Sequence, residues 1–172
     1  MRKRILSLLI VMVCLFTGCA SNIKDGVALL EEEKYEEAIA CFEKDIAKEK
    51  NLGEAYRGIA IAQYELGDYY AALDSFANAL ANEEEATATI YSLMAASCLK
   101  VEEYWLALGC YEDALEMDDC TEEMKQEILY NEIAIYQEMG EWDIVKEKTL
   151  AYVEAYPDDM RMNKTVEFLE TR

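Results

Sequence analysis

Gly67-Asp68-Tyr69-Tyr70-Ala71-Ala72, followed by Phe76 and Ala79, decides how this chain folds. A tyrosine is answered three residues later by an alanine, four further on by a ring, and three beyond that by a small residue. Positions 69, 72, 76 and 79 share one face of a helix, because residues three and four apart stand above one another. The same set recurs on either side. Lys34-Tyr35-Glu36-Glu37-Ala38 leads to Phe42 and Asp45, and Glu102-Glu103-Tyr104-Trp105-Leu106-Ala107 leads to Tyr111 and Ala114. The tyrosines stand at 35, 69 and 104, a period of 34 to 35 residues. Self-similarity at that period marks a stack of small units.

This arrangement resembles the tetratricopeptide repeat, a pair of antiparallel helices stacked on its neighbours. The second copy matches best. Tyr56, Ile59 and Ala60 stand at the first-helix packing positions, Gly67 makes the turn, and Ala72, Phe76 and Ala79 complete the second helix. The third copy runs Tyr91, Met94, Ala95, Tyr104, Ala107, Tyr111 and Ala114; the first runs Gly26, Tyr35, Ala38 and Phe42, with Asp45 where a small residue is usual. A fourth is weaker: Leu129, Ile133, Tyr136, Gly140, Trp142 and Pro157 fit, whereas Val145 and Thr149 replace the alanine and the ring. About four extra residues near Thr121 to Glu127 lengthen its first helix. After Pro157, Asp158 or Asp159 can cap a last helix with Met162, Val166 and Leu169 on one face.

The resemblance implies an all-α fold, a right-handed superhelix of about four tetratricopeptide-like hairpins with a C-terminal capping helix. Its approximate limits are 22–50, 53–86, 88–119 and 122–157 for the repeats and 159–171 for the cap, within a domain of residues 19–172. Small residues at 60, 72, 79, 95, 107 and 114 let helices approach closely, and rings fill the gaps between hairpins. A plain helical bundle is the competing arrangement.

In this family the first helix of each hairpin lines a concave groove that receives a peptide. The groove positions carried over are Ile23, Val27 and Leu30; then Arg57, Ile61, Tyr64 and Glu65; then Ser92, Ala96, Leu99 and Lys100; then Tyr130, Ala134, Gln137 and Glu138. The places where some members clamp a C-terminal carboxylate hold mostly apolar or neutral residues, so no such clamp is expected. An aliphatic strip centred on Ile61, Tyr64 and Leu99 in an acidic shell suits a protein or peptide partner offering a basic or apolar segment. The competing account is that the acids only keep the domain in solution.

The amino-terminal residues read as an address. Arg2, Lys3 and Arg4 precede Ile5 to Phe16, twelve residues without a charge, which is the layout of a secretory signal. A helix of that length rises about 18 Å, short of the roughly 30 Å hydrocarbon core of a membrane. Phe16-Thr17-Gly18-Cys19 is similar to a bacterial lipobox, although leucine is usual where Phe16 stands. That resemblance implies a lipoprotein signal peptide over residues 1–18. It also implies a diacylglycerol thioether on Cys19 and acylation, such as palmitate, of the new amino end. The chain would then be lipid-anchored on the extracytoplasmic side of a bacterial cell membrane. Removing eighteen residues that carry three bases and no acid would leave 154 residues of formal charge −23. Only Ala20 and Ser21 separate Cys19 from the first helix, a tether of about 10 Å, so the superhelix is expected to stand away from the surface with its groove outward, the alternative being that the first helix frays and lends its residues as a linker.

Composition narrows the rest. The 172 residues carry 36 acids against 16 bases, a formal charge of −20, and 53% are apolar. A packed core is therefore expected, and the counterion release that drives nucleic-acid binding has no basic face to act through. There is no histidine, which removes Ser-His-Asp and Cys-His catalysis and the commonest metal ligand. Cys41, Cys98, Cys110 and Cys120 form no Cys-x-x-Cys pair, so no metal site is expected. Cys98 and Cys110 lie on the two helices of one hairpin and could approach, though small buried thiols are the commoner outcome. Asp118-Asp119 is expected to begin the next helix, and the runs Glu31–Glu33 and Glu83–Glu85 to lie at helix ends. No cofactor is implied and no catalytic pair stands out. The chain reads as a non-enzymatic binding scaffold or, alternatively, a permanent structural subunit of a cell-envelope complex.

Overall fold

The structure, a computed structural model, describes residues 22–82 and 86–171. The signal segment, Cys19 and the run Glu83–Glu85 lie outside these residues. The described chain forms four helical hairpins in sequence order: α1 (Asn22–Glu31) with α2 (Tyr35–Ile46), α3 (Leu52–Leu66) with α4 (Tyr69–Asn82), α5 (Ala88–Lys100) with α6 (Tyr104–Leu115), and α7 (Glu122–Met139) with α8 (Trp142–Ala155). A 3-10 turn (Met160–Met162) then leads into α9 (Asn163–Glu170). No strand occurs among the described residues. The all-α, stacked-hairpin architecture expected from the period is the one observed.

One device closes every hairpin. The amide two or three residues past each first helix reaches back five residues at 2.9 Å: Lys34 to Leu29, Asp68 to Gln63, Glu103 to Cys98 and Glu141 to Tyr136. The residue before each donor adopts left-handed backbone, as this helix-terminating motif requires. Gly67 and Gly140 do so freely, at φ 85° and 77°. Glu33 and Glu102 fill the same slot at φ 58° and 60°, where a Cβ is strained.

Rings then tie each hairpin to the next. Phe42 of α2 is fully buried. Its ring occupies a notch that two glycines leave open, for a Cβ built on Gly26 of α1 or Gly58 of α3 would sit 2.5 or 2.4 Å from it. Phe76 of α4 is buried with Ala60, Ala72 and Ile90 of α5. Tyr111 of α6 is buried with its hydroxyl accepting a hydrogen bond from Asn131 Nδ2 of α7 at 3.1 Å. In the fourth hairpin the slot holds Thr149, fully buried with an unpartnered hydroxyl. The ring comes instead from Tyr152, one turn along, which packs with Ile133, Val145 and Met162. The weak fourth copy is thus a hairpin whose aromatic has moved and whose core is completed by the C-terminal segment.

Carboxylates seal the open ends. Asp45, 4% exposed, accepts from Asn22 Nδ2 at 2.6 Å and from the Ile23 amide at 3.1 Å, so the end of α2 caps the start of α1. Asp119 Oδ1 likewise accepts from the Ala88 amide at 2.9 Å, at the start of α5. Asp118-Asp119 therefore does not begin the following helix. That start belongs to Thr121, whose hydroxyl accepts from the Met124 amide at 3.2 Å. The orphan amides of a helix start need an acceptor, and for α1 and α5 a carboxylate from across the hairpin supplies one.

Candidate functional site

The face expected to bind is presented by the first helices α1, α3, α5 and α7. Val27 and Lys100 are exposed on it, and Arg57, Ala96 and Ala134 are half-buried. Leu30, Ile61, Tyr64 and Leu99 are also half-buried, but they pack into hairpin cores. Leu30 lies against the Phe42 cluster, Ile61 and Tyr64 against that of Ala60 and Phe76, and Leu99 against that of Cys98 and Tyr111. Tyr64 also meets Tyr69 edge-on, with ring centroids 5.5 Å apart. The aliphatic strip at Ile61, Tyr64 and Leu99 thus supports the hairpins as well as edging the face.

At the fourth hairpin the chain covers its own candidate positions. The Arg161 guanidinium lies 4.3 Å from the Tyr130 ring centroid. It is held there by Glu127 Oε1 at 2.7 Å and Asp159 Oδ2 at 2.6 Å. Gln137 Nε2 donates to Thr165 Oγ1 of α9 at 2.9 Å, and Trp142 packs on Phe168 at 4.9 Å between centroids. Tyr130 and Gln137 are therefore engaged by residues 161–165, a contact that no periodic pattern announces.

Electrostatics bind this latch together. The Arg161 guanidinium, then the Tyr152 hydroxyl, hold the Asp159 carboxyl well below the usual carboxylate range. Asp159 and Glu127 in turn raise the Arg161 value. Tyr156 donates to Glu122 Oε1 at 2.7 Å, which pushes its hydroxyl up to about 12.

A second feature lies where second helices flank a first one. Trp105, Leu108, Gly109, Glu112 and Leu115 of α6 and Glu116 at its end face Glu132 and Tyr136 of α7 and Lys148 of α8 across a cleft of about 500 Å³. It contains a partly buried ion pair, Lys148 Nζ to Glu132 Oε2 at 2.7 Å. Lys148 also stands 5.7 Å from the Tyr136 ring centroid. The signal for this cleft was Gly109, a glycine in a helix interior where no turn needs one. Cys98 and Cys110 pack together in the α5–α6 core as free thiols, and their contact together with burial pushes the Cys98 thiol up. Among the described residues no acid and cysteine cluster could hold a metal ion, and no helix is long and apolar enough to cross a membrane.

No protein-family model and no curated protein matches the chain. Solved structures do. A TPR protein, YrrB, described as having an unusual peptide-binding site, aligns at 21% identity over 79% of this chain and 68% of its own, with a TM-score of 0.66. A double mutant of MamA RS-1 aligns at 21% identity over 90% of this chain and 86% of its own, at 0.70. MamA from Desulfovibrio magneticus RS-1, from residue 41 to its end, aligns at 16% identity over 81% and 76%, at 0.67. At such identities the likeness establishes the fold, a tetratricopeptide-like superhelix.

Proposed function

We propose that this chain is a non-enzymatic scaffold that holds a segment of another protein against its first helices, tethered by lipid on Cys19 to the outer face of a bacterial membrane. The observation that carries the binding half is the Arg161 site. A first helix already receives a guanidinium over Tyr130 between two carboxylates, so this face accepts a basic side chain when one is offered. Cation–π contact and paired carboxylates together favour arginine over neutral groups. A peptide-binding relative of the same fold adds support. The anchor rests on the Arg2-Lys3-Arg4 start, the uncharged run to Phe16 and the small residues before Cys19. Two or three acyl chains, at about 0.8 kcal/mol per buried methylene, would hold the domain at the surface where one would not.

The natural test puts a charge into the face without opening a core. Tyr64 and Leu99 are unsuitable, since both pack into hairpins. Ala96→Glu with Ala134→Glu should abolish capture of the partner by in-cell cross-linking while leaving the helical circular dichroism unchanged. Undiminished capture would place the contact elsewhere. For the anchor, Cys19→Ser should release the chain from the membrane fraction and end incorporation of labelled palmitate; retention of both would refute it.

A further inference from the structure

The cleft between α6, α7 and α8 belongs to neither the first-helix face nor the C-terminal latch. We infer that it is a second docking site, on the second-helix side, for a polypeptide segment carrying lysine or arginine beside an apolar side chain. Trp105 stands at its mouth 69% exposed, in a slot occupied one repeat earlier by the exposed Tyr70. Below it, Leu108, Gly109, Leu115 and Tyr136 form an apolar wall. Gly109 faces open space, since a Cβ built there meets nothing within 4 Å.

Charge selects the occupant. Three carboxylates line the cleft, those of Glu112, Glu116 and Glu132, against the single ammonium of Lys148. Lys148 is already committed to Glu132. Glu112 and Glu116 are exposed, and among the described residues neither has a cationic partner. Glu112 and Glu116 follow Trp105 on the same helix face, about 10 and 16 Å further along, so the uncompensated carboxylates take an ammonium or guanidinium while the indole and the apolar wall take its apolar neighbour. An acidic segment or an anionic lipid surface would meet repulsion from the cleft and from a body of formal charge −20. The cleft lies where the period is broken by the residues that extend α7 to 18 residues, against 13 in α5 and 15 in α3.

Trp105 reports on occupancy. The chain has two tryptophans, so the Trp142→Phe variant of the full chain leaves Trp105 as its sole indole. The probes are a short peptide alternating leucine with lysine and arginine, and the same peptide with glutamate at every basic position. The basic peptide should shift Trp105 emission to the blue and the acidic one should not. Raising the salt concentration should weaken the basic peptide, and Glu112→Gln with Glu116→Gln should weaken it about tenfold, as loss of two charge contacts implies. Gly109→Phe should fill the cleft and remove the response. Ala96→Glu with Ala134→Glu, which alters only the first-helix face, should leave it intact, so failure here and failure of the first-helix reading are separable. No shift with the basic peptide, equal shifts with both, or a loss confined to the first-helix variant would each overturn the proposal.

Discussion

At the residue scale the tightest constraint is the notch holding Phe42. A methyl group at position 58 has to displace an aromatic ring lodged between two helices, and overpacking of that kind costs about 1–3 kcal/mol. Gly58→Ala should lower stability by that amount in urea unfolding, and Phe42→Leu in the same chain should recover part of it. Recovery would identify the ring as the obstacle. The turn slots offer the opposite opportunity. Glu102 sits in left-handed backbone where Gly67 and Gly140 sit without strain, so Glu102→Gly should raise stability by about 1 kcal/mol in the same assay. The rings at 42, 76 and 111 were legible in the sequence because they recur in phase. Gly58 was not, since a glycine inside a helix shows its purpose only once the ring above it is placed.

At the scale of elements, the C-terminal latch ties α7 and α8 to the segment leading into α9 through Asp159, Arg161 and Tyr156. Its pH response follows from the two shifted groups. Asp159 ionises more readily in the folded chain, so its contribution is complete above about pH 4, the ordinary aspartate value, and disappears as the pH falls through its depressed one. Tyr156 behaves inversely. Its neutral hydroxyl is the favoured form, so its contribution is complete below about pH 10 and is lost as the pH rises through about 12. Thermal melts should therefore keep their midpoint between these limits and lose it on both sides. Asp159→Asn should lower the plateau and flatten the acid limb; an unchanged acid limb would show that the latch does not carry it. The sequence marked Asp159 as a cap and Met162 as apolar, and Asp159 does accept from the Arg161 amide at 3.0 Å. It could not show Arg161 reaching Tyr130, because a single long-range side-chain contact leaves no period to detect. Asp45 was visible only as a departure from the small-residue slot. Its role as the acceptor for α1 required the hairpin to be closed in space.

For the whole molecule, linear stacking means that each hairpin leans only on its neighbours, so stability need not be uniform along the chain. The first seam is filled by a ring between two glycines. The last, between the third and fourth hairpins, holds the Tyr111 ring but is flanked by a cleft of about 500 Å³, and within the fourth hairpin the ring slot holds Thr149 with an unpartnered hydroxyl. Hydrogen exchange should show the amides of α7 to α9 opening before those of α2 and α3, and uniform protection from end to end would contradict this. The fold class was readable because a repeated pattern multiplies a weak signal. The binding face was readable only as a set of positions, since whether a half-buried leucine serves the core or a ligand depends on its neighbours.

The locked ring at Phe42 and the open gap beside Gly109 also make the molecule mechanically unequal. A rod built this way does not bow evenly under a sideways load. Bending should concentrate near the joint at that gap while the first hairpins keep their curvature. A segment docked on the last hairpin as proposed above would then swing through an arc while the opposite end holds still.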